Sequence, residues 1–244
     1  DGRYRYIRNY TPHHPHGLWQ WYNSQMPSLT AWTRYWLEGR AEGIENRFFE
    51  ERPTEMLFDL QEDPWEVNNL ADMAEYGLKL QELREANSKR VRETMDLGFF
   101  PFYQRYKSDT LSMYEWVRET DYDLDELITA AETASEGKMV HTQYLRNCLN
   151  SEKPELRFWG ASGFALIAKH HPDMECPEEL RKAIYDDAPS VASAAGEALC
   201  YLGIENEAVP ALMKLVKEGQ PDVFSSILSL LYAGVGEEEF KANM

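Results

Sequence analysis

The stretch Arg52-Pro-Thr-Glu-Met-Leu-Phe-Asp-Leu-Gln-Glu-Asp-Pro-Trp-Glu-Val-Asn-Asn-Leu-Ala71 runs from a short apolar segment into a dense group of turn-forming residues. EMLFDL, residues 55–60, reads as a strand. Asp63 is placed to cap a helical turn, Pro64 suits its first position, and Glu66 falls three residues after the cap, where it reaches back to free backbone N–H groups. The pattern predicts a pinned strand-to-helix corner, with Trp65 packed inside it. A helix over about 72–96 follows, carrying Leu80, Leu83, Val91 and Met95 on one stripe.

A second strand opens the chain. In DGRYRYIRNY, Tyr4, Tyr6, Arg8 and Tyr10 alternate with Arg3, Arg5, Ile7 and Asn9 until Pro12 and Pro15 stop the pattern. A helix is expected over about 28–39, ended by Gly39, with Trp19, Trp21, Tyr22, Trp32, Tyr35 and Trp36 packed around it. Two strands alone are marginal in water. The pattern therefore predicts a third strand near Asn46–Glu50, together with partner strands outside this sequence. The strand that begins at Arg3, two residues into a chain without an initiator Met, points to a missing preceding segment.

After Gly98 the composition changes. Residues 99–123 read as an aromatic connector, and from about 124 every pattern is helical. PELRFWGASGFALIA starts at Pro154, PSVASAAGEALCYLG at Pro189 and PDVFSSILSLLYAG at Pro221, offsets of 35 and 32 residues. Each segment begins with Pro at a helix start, and the first two place small residues at Gly160, Ala161 and Gly163 and at Ala194, Ala195 and Gly196. A shorter apolar-striped helix precedes each one: Tyr144–Cys148–Leu149, Leu180–Ala183–Ile184 and Leu212–Leu215–Val216. Helix pairs that bury their apolar faces by stacking form a solenoid.

Composition bounds the function. The 244 residues, 43% of them hydrophobic, can bury a sizeable core, and the net charge is −17. Residues 1–98 carry 12 Lys and Arg against 17 Asp and Glu, and residues 99–244 carry 13 against 25. Both halves are acidic, which argues against nucleic acid or an anionic membrane as partner. The longest apolar stretches fall well short of the roughly 20 residues of a membrane helix. Cys148, Cys176 and Cys200 lack metal-ligand spacing and read as buried apolar positions on helices.

The helical half resembles HEAT-type repeats, whose second helix often starts Pro-x-Val-Arg. Leu156-Arg157 fits that pattern, whereas Val191-Ala192 and Val223-Phe224 lack the Arg. The first half resembles the C-terminal subdomain of the type I sulfatases, in which a phrase similar to ELYDLxxDPxExxNLA closes the enzyme. Here it reads Met56-Leu57-Phe58-Asp59-Leu60, then Asp63-Pro64-Trp65-Glu66-Val67-Asn68-Asn69-Leu70-Ala71. The expected fold class is thus α+β, a small antiparallel sheet with packed helices over 1–98, then the connector over 99–124 and an all-α HEAT-like solenoid over 125–244.

The resemblance implies that the small sheet packs on a catalytic domain of the same parent chain, and that the parent hydrolyses sulfate esters or sulfamates of sulfated glycans. It leans towards the heparan N-sulfatase and glycosaminoglycan-sulfatase branch, and it implies a periplasmic or secreted, bacterial setting. Sulfatases use a formylglycine made from a Cys/Ser-x-Pro/Ala-x-Arg motif, and calcium held by Asp and Asn. None of the three Cys begins such a motif, so no cofactor is expected in this chain. Calcium and formylglycine are expected in the missing domain, no catalytic residue is assigned here, and the chain alone is expected to be inactive. Asp186-Asp187 reads as capping in an inter-helix turn.

The first sixteen residues are locally basic, with Arg3, Arg5, Arg8, His13, His14 and His16 against Asp1. Arg8, His13, His14 and His16 are the candidate contacts to a sulfated substrate, because Arg and protonated His donate charge-assisted hydrogen bonds to sulfate oxygens. A metal site in HHPHG is set aside, since Pro15 separates His14 from His16 and no carboxylate lies near in sequence. His170-His171 fits a helix C-terminus. The expected partners are the catalytic domain, a sulfated glycan, and a protein or second copy bound by the solenoid. Two alternatives stand beside the sulfatase reading: a non-enzymatic HEAT-repeat interaction scaffold, and a glycan-binding module if the aromatic cluster near 19–36 is exposed.

Overall fold

The computed structural model describes residues 2–17, 25–101 and 110–218. It is mostly helical, with one two-stranded antiparallel sheet. Strand β1 (Tyr4–Arg8) pairs with β2 (Glu55–Asp59), Tyr4 opposite Asp59 and Arg8 opposite Glu55. Helix α1 (Pro27–Leu37) lies between them in sequence and ends before Gly39, whose φ of 68° needs no Cβ to avoid. Its Trp32 and Trp36 stack on Phe48 and Phe49 at 4.7 and 4.6 Å. Packing therefore accounts for these rings, as expected. Trp19, Trp21 and Tyr22 lie outside the described residues.

Residues 46–50 do not form the expected third strand; they follow a short 3-10 turn, Gly43–Glu45, and continue as turns. The edge of β2 is closed differently. Asn69 Oδ1 accepts the Leu57 N–H at 2.9 Å, Asn69 Nδ2 donates to the Glu55 carbonyl at 3.3 Å, and Leu70 N–H donates to the Leu57 carbonyl at 2.8 Å. One Asn side chain and one backbone N–H thus stand in for a third strand, which satisfies a buried edge that water cannot reach.

The corner between β2 and Asn69 differs from the capped helical turn expected. No helix forms over 63–70. Asp63 does gather backbone donors, its carboxylate accepting the Asn68 N–H at 2.7 Å, but Glu66 has a φ of 57° and its side chain pairs with Arg5 instead of reaching back. Left-handed backbone at Glu66 turns the chain round so that Asn69 and Leu70 meet β2; a helical turn would carry them away. Arg47 holds the corner from outside, donating to the carbonyls of Glu66 and Val67 at 2.8 and 2.6 Å. Trp65 at the tip is 86% exposed, which overturns its assignment as a packing residue.

Helix α2 (Gly77–Glu93) follows, shorter than the 72–96 expected because Ala74–Tyr76 is a 3-10 turn. Its Leu80 is buried, and its Arg84 forks onto Glu55 of β2 at 2.7 and 2.6 Å. Then come α3 (Met113–Glu119), α4 (Leu124–Ala134), α5 (Thr142–Leu149), α6 (Pro154–His170), α7 (Glu178–Ala183), α8 (Pro189–Tyr201) and α9 (Glu205–Lys217). Ser112 and Asp123 cap α3 and α4 through side-chain oxygens, and Pro154 and Pro189 open α6 and α8 as expected. The segment at Pro221 lies outside the described residues. No described helix is long and apolar enough to cross a membrane.

The main core lies among α4, α5, α6 and α8. Phe164, Leu127, Ile128, Leu145, Ile167 and Leu199 are all fully buried there. Gly160 sits where α6 crosses α5: a Cβ added to it would stand 2.9 Å from the Leu145 carbonyl oxygen and 3.0 Å from the Leu149 nitrogen. Those are backbone atoms, so only the helices themselves could move apart. Cys148 and Cys200 are buried thiols on helices, as expected, whereas Cys176 is half-buried in the segment before α7; all three are free.

Two substitutions test these contacts by urea denaturation. Asn69→Ala leaves the buried Leu57 N–H without its acceptor and should cost about 1–3 kcal/mol. Gly160→Ala should also destabilise, by about 1–3 kcal/mol from overpacking, against the roughly 1 kcal/mol that helix propensity alone would gain. A stabilised Gly160→Ala protein would mean that the α5–α6 approach is looser than described.

Candidate functional site

The basic segment that leaves β1 does not hang free. Arg52 clamps it from below, donating from Nε to the His14 carbonyl and from Nη2 to the Thr11 carbonyl, both at 2.8 Å. Gly17 N–H bonds the Phe48 carbonyl, and Pro15 bridges to Glu51. From the other side, Lys169 near the end of α6 donates to the His13 carbonyl at 2.8 Å while pairing with Glu51 at 3.0 Å. The loop is thereby laid on the helices, with His13 and His14 turned towards α8.

There they meet a buried acid. Glu197 is 2% exposed in the middle of α8, and its carboxylate oxygens stand 2.9 and 3.1 Å from His14 Nε2. Its Oε1 also lies 3.8 Å from His13 Nε2 and accepts the Tyr201 hydroxyl at 3.1 Å. The two imidazole rings are 4.0 Å apart, centre to centre. His13 is 2% exposed, and its Nδ1 has no hydrogen-bond partner. Burial, then the neighbouring His14, Lys169, Arg52 and His170, hold the His13 imidazole well below its ordinary value, so it is neutral at pH 7.

The four residues expected to contact substrate therefore have different surroundings. His13 is buried, His14 is turned onto Glu197, and His16 is exposed, its imidazole held low by partial burial and by the Arg52 and Arg47 guanidiniums. Arg8 donates to Ser135 Oγ at 2.7 Å and to the Glu132 carbonyl at 3.2 Å, and lies 3.7 Å from Glu55. The structure brings His13 and His14 together with a residue the sequence reading missed, Glu197, which is 183 positions from His14. A lone Glu among the small residues of VASAAGEAL was the available signal, since an acid on the contact face of a tightly packed helix needs a partner.

Other candidates resolve into structure. Arg157 forks onto Asp186 at 2.7 and 2.8 Å and reaches Asp187 at 3.0 Å, and Asp186 also accepts the Ala188 N–H at 2.9 Å ahead of Pro189. Burial opposes the Asp186 charge, yet the Arg157 fork and that N–H hold its carboxyl below the ordinary range. A carboxylate already matched to a guanidinium and a backbone donor is a cap and cross-link, and it does not fit a calcium cage. His170, the last residue of α6, stands 3.2 Å from Glu51. No carboxylate-rich cage that would suit calcium is found among the described residues.

The buried neutral His13 carries a pH prediction. Its folded value is depressed, so between that value and about 6.5 the unfolded chain binds a proton that the folded chain does not. Stability from this group is complete above about 6.5 and is lost as pH falls, by up to roughly 1 kcal/mol per pH unit. Urea midpoints should decline from pH 7.5 to 5, and the decline should flatten in His13→Gln. An equal decline in both proteins would assign the acid sensitivity elsewhere.

Comparison with known proteins adds one relationship. The chain is 38% identical over 86 residues to a curated protein from Formosa agariphila described as an ulvan-active sulfatase. The match takes in 35% of this chain and 14% of that relative's length. No family model and no solved structure matches the chain. Part of this chain is thus sulfatase-related.

Proposed function

We infer that this chain is a C-terminal part of a sulfatase that hydrolyses sulfate esters or sulfamates of sulfated glycans. The observation that carries the reading is the 38% identity over 86 residues with the ulvan-active sulfatase. The phrase from Met56 to Ala71 agrees with it, as a strand and turn resembling the closing phrase of the sulfatase C-terminal subdomain. The nucleophile and calcium belong, in this reading, to a catalytic domain of the same parent, and nothing in the donor sets described above is arranged to hold them. This chain supplies structural closure. Trp65, standing in solvent at the tip of the corner, is the side chain offered to that domain.

For substrate, ulvan joins the sulfated glycosaminoglycans, heparan sulfate included, as a class to be tried. His16 is the exposed imidazole of the basic segment and is the one placed to reach a glycan; His13 and His14 serve the loop's attachment to α8. A periplasmic or secreted setting, in a bacterium, follows from the same family reading and stands or falls with it.

A second reading has its own support. Arg157 on α6 bonds the turn before α8, and Arg146 on α5 forks onto Glu179 of α7 at 3.1 and 2.9 Å, so successive helix pairs are cross-linked in the same sense. These cross-links support a HEAT-like array, which would bind protein or self-associate whether or not the parent is an enzyme. The two readings separate in one experiment. Free sulfate is measured from ulvan and from glycosaminoglycan oligosaccharides, with calcium present, for the full reading frame and for this chain in parallel. Release by the full product alone is expected; no release by a matured full product would leave the interaction scaffold.

A further inference from the structure

We propose that His13, His14 and Glu197 form a binding site for a zinc-class divalent cation that clasps the loop after β1 to helix α8. The ligand atoms of the three residues all lie within 4.8 Å of one another. Two donors about 2.0–2.1 Å from one metal in tetrahedral geometry stand about 3.3 Å apart. His14 Nε2 to Glu197 at 2.9 Å and His13 Nε2 to Glu197 at 3.8 Å bracket that spacing, and the two imidazole donors lie within 4.8 Å of each other.

The chemistry of the residues agrees. Zinc takes imidazole nitrogen as a ligand, and the loop brings two imidazoles to one carboxylate. With His13 at 2% exposure, its Nδ1 has no partner, and its Nε2, the nitrogen proposed as ligand, stands 3.8 Å from Glu197, beyond hydrogen-bond reach. A buried ring nitrogen without a partner is costly, and a metal on Nε2 supplies one for that nitrogen. The Tyr201 hydroxyl, one turn along α8, bonds Glu197 and orients the carboxylate, as supporting groups do at metal sites. His14 is partly exposed, which gives an entry route.

The nearby cations do not bar the site. Lys169 is paired with Glu51, and Arg52 points its donors at carbonyl oxygens of the loop. Two nitrogens and one carboxylate suit zinc and its neighbours in the first transition row, and they suit neither calcium nor magnesium, which take oxygen ligands. The site is independent of the sulfatase reading, because its ligands are held by the two halves of this chain alone.

The test is a calorimetric titration of the chelator-treated chain with zinc chloride at pH 7.5, with calcium and magnesium chloride as comparisons and cobalt chloride followed by visible absorption. Expected are one equivalent of zinc, a raised melting temperature, a tetrahedral cobalt spectrum, and no heat with calcium or magnesium. His14→Gln and Glu197→Gln should each weaken zinc binding by about tenfold or more, while His16→Gln and His171→Gln bind as the parent does. If Glu197→Gln fails to fold by circular dichroism, the partly exposed His14→Gln decides. No stoichiometric zinc binding, binding untouched in His14→Gln, or equal binding of calcium would overturn the proposal.

Discussion

A two-stranded sheet cannot keep itself folded in water, and that constraint organises the rest of this structure. With Tyr4–Arg8 and Glu55–Asp59 as the strands among the described residues, the chain must close one edge and fasten the sheet to something larger. It closes the edge with Asn69 and Leu70, which meet the Leu57 N–H and carbonyl as a third strand would. Everything between Leu60 and Asn69 is arranged to bring that Asn back: the Asp63 acceptor, the left-handed Glu66, and Arg47 bonding the corner's carbonyls.

The fastening runs along the exit of β1. Arg8 bonds the end of α4 through Ser135 and the Glu132 carbonyl, and Tyr10 packs edge-on to Phe99 at 4.8 Å. Trp159 of α6 then donates its indole N–H to the Phe99 carbonyl at 2.8 Å. His13 and His14 complete the series on Glu197 of α8. The polar contacts are laid over a main core that belongs largely to the helices, so the sheet is seated on an apolar block. Buried polar contacts cost desolvation, so their partners fix which docking of sheet on helices is allowed.

The helical block has its own internal logic. Small residues on α6 let it approach α5 until backbone meets backbone, and arginines on one helix bond acids on the next pair. The starts of its helices were legible from Pro154 and Pro189 and from the apolar stripes before them. The start of α4, the starts of α6 and α8 and the two strands were all placed from local pattern. The helical corner and the packed Trp65 expected from the sequence do not form, because a turn rich in Asp, Pro and Asn admits several backbone paths. Which one forms depends on what β2's open edge requires.

The sequence by itself determined the elements whose cause is local: two alternating strands, proline-started helices with apolar stripes, an acidic chain with one basic opening, and a strand-turn phrase of sulfatase type. Propensity, periodicity and turn chemistry act over a few residues, and a reader of residues can sum them. Only the tertiary structure decided that Glu197 lies against His13 and His14, across 183 positions, and that a basic loop became a buried clasp. Contacts of that separation leave no periodic trace. They arise because a buried carboxylate and a buried imidazole must each find a partner, and only the folded packing says which one is within reach.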